Sequence, residues 1–135
     1  MAVSVIVDAG FLAALIERRE RHHDWAVAVA AQHPRPWQTC EPILSEAFFL
    51  LDHRGAVALM ALLKRDQLLV SFRFSEHKQA VMTLMERYGN VPMSFADACL
   101  VRMTEVLPGP VVLTTDSDFR VYRRSGRQVV PCVLP

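Results

Sequence analysis

The sequence predicts an α/β fold, a parallel sheet with helices packed on both faces. Short β-branched runs alternate with longer stretches of helical apolar spacing, which is the pattern of strand–helix–strand crossovers. At 135 residues the chain fits one compact domain and leaves little room for a second. No internal repeat, low-complexity tract or linker divides it.

Residues 3–7, "VSVIV", form the first strand, which stops at Asp8. "AGFLAALIERRE" (9–20) follows as a helix, with Phe11, Leu12, Leu15 and Ile16 at helical spacing. A second helix starts at His23 or Asp24 and runs through the alanine-rich stretch to Gln32. "HPRP" breaks it, because proline removes a donor and restricts the residue before it. "WQTC" (37–40) is a weak strand. "EPILSEAFFLLDHRG" (41–55) reads as a helix with Pro42 in its first turn and Gly55 near its end. "AVALMALLKR" (56–65) is another apolar helix, and "LLVSFRF" (68–74) a strand. Residues 75–89 form an amphipathic helix closed by Gly89, and Ser94 opens a further helix over 94–106. Val111 to Leu113 make a buried strand after "PGP". "QVVPCVL" (128–134) supplies a last short strand, expected at an edge because Pro131 interrupts it.

The composition excludes several classes. With 52% hydrophobic residues and mean hydropathy +0.20 the chain is rich in apolar surface, yet no apolar run reaches the roughly 18 residues of a membrane span. The N-terminus lacks the basic segment and cleavage site of a secretory leader. The expected location is the cytoplasm, without membrane contact. The surplus apolar surface is expected to serve a partner or a second copy. A net charge of +1 and a pI near 7.8 exclude a globally basic nucleic-acid binder and leave local patches as the means of any such contact. Cys40, Cys99 and Cys132 form neither a zinc spacing nor a disulfide framework, so they read as reduced core thiols.

Acidic residues fall where the strands end. Ligands of open α/β sheets sit beyond the carboxyl ends of the strands. Asp8 ends the first strand and Asp116 the fourth, so parallel strands bring both to one edge. Asp97 lies in the first turn of the helix preceding that fourth strand, and Glu46 on the helix after "WQTC". Desolvated carboxylates packed together repel and take up protons. Mg²⁺ or Mn²⁺, hard cations that prefer oxygen ligands, offset that cost best. Each acid also has a structural reading: Asp8 and Asp116 as N-caps, Asp97 in a capping box begun by Ser94, Glu46 as an exposed residue of an amphipathic helix.

On these residues the chain resembles a PIN domain, most closely the toxin nucleases of VapBC toxin–antitoxin pairs. "VIVDAG", "ILSEAFFLL", "MSFADACLV" and "VLTTDSDFRVYRR" occur in the family's order across nearly the whole chain. The resemblance implies a single PIN-like domain over 1–135, three-layered α/β/α with a central parallel sheet of four to five strands. It implies Mg²⁺- or Mn²⁺-dependent hydrolysis of RNA phosphodiesters, leaving 5′-phosphate and 3′-hydroxyl ends. Asp8, Glu46, Asp97 and Asp116 match the family's acidic quartet, as catalytic residues and metal ligands. Asp118 matches an additional acid on the metal side, orienting water. Ala9 stands where members usually carry Ser or Thr, and Asn90 where a further acid is common.

The expected chemistry is metal-assisted attack by water, with proton handling by Glu46. The expected partners are RNA, an antitoxin protein and a second copy in a homodimer. Arg18, Arg19, Arg21, Arg120, Arg123, Arg124 and Arg127 are candidates for phosphate contacts, while His22 and His23 read as helix-boundary residues and Trp25 and Trp37 as packing residues. Two rival functions remain open: a non-catalytic PIN-like binding module, and a metal-dependent phosphatase. The latter usually carries Asp-x-Asp after its first strand, where "VDAGF" has one acid.

Overall fold

The computed structural model describes residues 2–135. Strand β1 (Ser4–Val7) is buried along its whole length. Buried on both faces, such a strand reads as a continuous apolar run rather than an alternating one. β2 (Trp37–Thr39), β3 (Leu68–Val70), β4 (Pro110–Leu113) and β7 (Cys132–Val133) complete a five-stranded sheet in the order β3-β2-β1-β4-β7. Every pairing in it is parallel, as the sequence predicted.

Parallel neighbours need crossovers, and the helices supply them in pairs. α1 (Ala9–Ile16) and α2 (His23–Gln32) connect β1 to β2. α3 (Glu41–Leu50) and α4 (His53–Lys64) connect β2 to β3. α5 (Lys78–Arg87) and α6 (Phe95–Val106) connect β3 to β4. α1 packs on α2, α3 and α4, whereas α6 packs on α5, β1 and β4. Among the described residues no helix is long and apolar enough to cross a membrane.

Several boundaries differ from the sequence reading for local reasons. The helix expected over 41–55 stops at Leu50, and Gly55 lies in the first turn of the next helix instead of ending this one. Asp52 decides this. Its side chain accepts the Gly55 N–H at 2.8 Å and starts α4 at His53, ahead of the expected residue 56. The first helix ends at Ile16 rather than Glu20, and the Glu17 carboxylate accepts the Arg19 N–H at 3.0 Å, which favours a turn. β3 ends at Val70, and the residues expected to extend it form a loop and a 3-10 turn (Phe74–Glu76). α5 accordingly begins at Lys78, and it closes at Arg87, before Gly89.

The last strand expected over 128–134 divides in two, and its first part joins a hairpin the sequence reading lacked. β5 (Arg123–Arg124) and β6 (Gln128–Val129) pair antiparallel as a small hairpin. Ser125 and Gly126 adopt φ of 49° and 87° at its tip; the Ser-Gly dipeptide was the available signal. Pro131 then sets β7 at the sheet edge, and its carbonyl accepts the Val112 N–H at 2.9 Å.

Packing takes both tryptophans. Trp37 is fully buried, and Phe11 meets Trp37 and Trp25 edge to face at 5.6 and 5.9 Å. Cys40 and Cys99 are buried free thiols, and Cys132 is a half-buried one.

Gly109 matters for the site because it launches β4 beside β1. It sits at φ +52°, and a Cβ there would collide with the Ala2 carbonyl oxygen, while its own carbonyl accepts the Ser4 N–H at 3.0 Å. Gly109→Ala is expected to lower unfolding free energy by about 2 kcal/mol, read as a reduced midpoint in urea denaturation at unchanged slope.

Candidate active site

The register Val7↔Leu113 ends β1 and β4 level with each other. The next residue of β1 is Asp8, and its N–H still donates to the Leu113 carbonyl at 3.0 Å. Its carboxylate is held from two sides. Oδ1 accepts the Ala9 N–H at 2.8 Å, capping α1, and Oδ2 accepts the Thr114 hydroxyl at 2.7 Å. Thr114 Oγ1 in turn accepts the Asp116 N–H at 3.0 Å. Asp116 Oδ1 accepts the Asp118 N–H at 2.9 Å, capping a 3-10 turn (Ser117–Arg120). One hydrogen-bonded chain therefore links both strand ends.

Asp97 arrives from α6. Ser94 caps that helix by accepting the Asp97 N–H at 3.0 Å, and Asp97 Oδ2 accepts the Tyr122 hydroxyl at 2.9 Å. Asp8 and Asp97 are both buried. Glu46 stands exposed on α3, so it forms the solvent-facing rim of the group.

Electrostatics tie the four acids together. Burial pushes the Asp8 carboxyl up to about 7; the Thr114 and Ala9 hydrogen bonds oppose this, and the charges of Asp97 and Glu46 add to it. Burial also raises Asp97, helped by Asp116 and opposed by Tyr122 and Ser94. Glu46 is raised by partial burial and by the charges of Asp97 and Asp116. The Asp118 charge is felt at the Tyr122 hydroxyl, which burial and the neighbouring acids keep protonated.

No cation among the described residues neutralises this group. The one ion pair among them is Arg102–Glu105 at 3.1 Å, away from the four acids. Nor do any three His, Cys, Asp or Glu side chains among the described residues converge as a ready-made cage for a metal. The donor set nevertheless suits a hard divalent ion. It consists of carboxylates that repel one another, and such an ion retains several waters, so one or two direct carboxylate ligands suffice.

Thr114 and Tyr122 are not among the candidates read from the sequence. Thr114 follows from the β1–β4 register, since "TTD" puts it opposite Asp8. Tyr122 had no local signal, being 25 residues from Asp97.

The arginines divide in two. Arg123 spends its guanidinium on the carbonyls of Arg120, Val121 and Tyr122 at 2.7, 3.2 and 2.9 Å. Arg124 donates to the Thr104 carbonyl at 2.6 Å and to Gln128 Oε1 at 2.7 Å. Arg124 thereby staples the hairpin to α6, whereas Arg123 closes on the turn just before it. Arg18 and Arg19 are exposed, and together with Arg54 they line a cavity of about 520 Å³ between the end of α1 and the start of α4. Asp8 lies at the other end of α1, roughly 12 Å away along a helix of this length. His23 Nδ1 lies 2.8 Å from the Ala14 carbonyl, which ties α2 to α1.

Comparison with known proteins gives two findings. A PIN domain family model matches residues 5–125. Among solved structures, the chain is similar to the Mycobacterium tuberculosis toxin VapC20, described as sarcin–ricin loop cleaving. That likeness has 27% identity and a TM-score of 0.64, and covers 71% of this chain and 77% of the toxin. No curated protein sequence matches the chain.

The raised Asp8 carboxyl sets a pH dependence for the metal-free protein. Between the ordinary value of 3.8 and about 7, the folded state binds more protons than the unfolded state, so stability falls as pH rises through that window. In chelator, unfolding free energy is expected to drop by a few kcal/mol from pH 4 to pH 8. Asp8→Asn should flatten that slope and be more stable than the parent at pH 8, as chemical denaturation across the pH range would register.

Proposed function

The chain belongs to the PIN domain family, and from that premise we propose that it is an Mg²⁺- or Mn²⁺-dependent endoribonuclease. In this reading it hydrolyses RNA phosphodiester bonds as the toxin of a VapBC-type pair. The observation that carries the reading is the group of four mutually repelling carboxylates at the carboxyl edge of a parallel sheet, with no cationic side chain among the described residues to neutralise them. Ribonuclease activity against a defined RNA loop in the similar M. tuberculosis toxin supports the same substrate class.

Asp8, Glu46, Asp97 and Asp116 would hold the ion, one or two of them directly and the others through its waters, with Asp118 beside them. When bound, the ion supplies a water of lowered pKa and positive charge against the phosphate. The side chains have separate tasks. Asp8 is pinned through both oxygens, which fixes its orientation without a neighbouring hydroxyl at Ala9. Glu46, facing solvent, is suited to take a proton from the attacking water and pass it outward. The polypeptide provides no Ser-His-Asp or Cys-His arrangement among these residues, and none is required, since water is the nucleophile.

RNA approaching an acidic site needs positive charge elsewhere on its path. Arg18, Arg19 and Arg54 at their cavity, together with the exposed Arg120 and Arg127, are the proposed phosphate contacts. The proposal also includes a cytoplasmic setting, an antitoxin partner and a second copy of the chain. Exposed Phe49 and Leu50, at 87% and 57% exposure beside Glu46, are apolar surface suited to a protein partner.

Purified protein free of antitoxin is expected to cut structured RNA in Mg²⁺ or Mn²⁺ and not in EDTA. Asp97→Asn should lose about a hundredfold or more in rate. Equal cutting by both proteins would indicate a contaminating nuclease, and folded protein inert with every ion would favour a binding module. Phosphomonoester hydrolysis would favour a phosphatase. Separately, replacing Arg18, Arg19 and Arg54 with alanine should raise KM several-fold with little change in kcat. The same variant should shallow the dependence of log affinity on log salt by about 0.7 for each phosphate no longer neutralised.

A further inference from the structure

Tyr122 is fully buried, and its ring packs edge to face against Tyr88 and Phe119 with centroids at 5.4 and 5.2 Å. That packing fixes where the hydroxyl sits. It lies 2.9 Å from Asp97 Oδ2 and 3.0 Å from the Pro92 carbonyl oxygen. A phenol has one proton to give, so it cannot make a full hydrogen bond to both acceptors at once. Aimed at Asp97, the proton holds the carboxylate in place. Turned to Pro92, it frees Oδ2 for another partner without leaving a buried donor unpaired, which would cost about 1–3 kcal/mol.

The fold does not need this hydroxyl as a clamp. The segment after Tyr122 is fastened by other hydrogen bonds: the Arg123 N–H donates to the Tyr88 hydroxyl at 2.8 Å, Arg124 donates to the Thr104 carbonyl, and the Ser125 N–H donates to Glu105 Oε2 at 2.6 Å. Phenylalanine would fill the same space between the two aromatic neighbours. What it would lack is a donor shared between one site carboxylate and the backbone of the loop leading into α6.

We propose that Tyr122 is a positioning residue whose hydroxyl orients the Asp97 carboxylate in the metal-free site and swings to the Pro92 carbonyl when a divalent cation engages Asp97. This rests on the metal-dependent reading above. Its consequence is that the metal-free site stays shaped for the ion, and that ion binding tightens the loop around Pro92 against the site.

The test is binding of Mn²⁺ at fixed temperature, followed through the electron paramagnetic resonance signal of the free ion. Tyr122→Phe is expected to raise the half-saturating Mn²⁺ concentration about tenfold, the usual effect of losing a group that orients a ligand. Tyr88→Phe, which removes a hydroxyl from the adjoining ring, should leave it unchanged. Unchanged affinity in Tyr122→Phe, or an equal loss in Tyr88→Phe, overturns the proposal whatever happens to thermal stability. A parent protein that binds no Mn²⁺ overturns the metal reading and this inference together; binding by the parent with no effect of Tyr122→Phe overturns this inference alone. A second measurement does not depend on that variant folding. The chain has two tyrosines, so 3-fluorotyrosine incorporated into Tyr88→Phe protein reports Tyr122 alone. Its fluorine resonance is expected to shift on saturation with Mg²⁺, and a stationary resonance counts against the swing.

Discussion

The pairing of β1 with β4 governs everything built at the carboxyl edge of the sheet. Four residue pairs hold the strands in register, ending at Val7↔Leu113, and the chain beyond them delivers Asp8 and Thr114 to hydrogen-bonding distance. Side chains of a strand alternate between faces, so a slip of one residue would point Asp8 to the other side of the sheet. β1 is the central strand and the most enclosed. Its terminal acid is consequently buried, and burial is the main reason its carboxyl is pushed up to about 7. The site's electrostatic character is a consequence of strand order as much as of residue type.

Burying several carboxylates together is unfavourable, and local backbone groups offset part of the cost. Asp8 caps α1, Asp116 caps a 3-10 turn, and Asp97 sits in the first turn of α6 behind its Ser94 cap. Each therefore meets free N–H groups and the positive end of a helical turn. The structural and chemical readings of these acids are compatible. A cap engages one carboxylate oxygen, and an oxygen has lone pairs enough for a second partner. The same hydrogen bonds that make the acids tolerable also aim them.

Among the described residues no cationic side chain pairs with the four acids. Arg102 donates to Glu105 and to His77 Nδ1 at 3.1 and 3.2 Å, with His77 stacked on Phe72 at 4.9 Å between ring centres. Glu105 also receives the Ser125 N–H, so these bonds lash the hairpin and the segment before α5 to α6. Arg123 and Arg124 are similarly absorbed by backbone carbonyls. Arg123 and Arg124 are thus held by the protein, whereas Arg120 and Arg127 stay exposed and three other arginines line one cavity at the opposite end of α1. Proximity in sequence was a poor guide to which cations remain free for a ligand.

Much of this protein was legible in the order of its residues. Alternating β-branched and helical segments specified a parallel sheet with crossover helices, because few other arrangements bury such elements. The ends of β1 and β4 were marked by Asp8 and Asp116, where apolar runs stop. Short-range chemistry blurred the boundaries: Asp52 capping α4 made Gly55 an interior residue, and the Ser125-Gly126 turn drew Gln128 and Val129, expected in the last strand, into a hairpin with Arg123 and Arg124. Sequence alone determined which acids stand at strand ends and helix starts, since those positions follow from local pattern. Tertiary structure alone decided that Tyr122 meets Asp97 and that Arg124 reaches the Thr104 carbonyl. Those interactions join segments whose separation along the chain leaves no periodicity to read, and they form when packing brings the segments together.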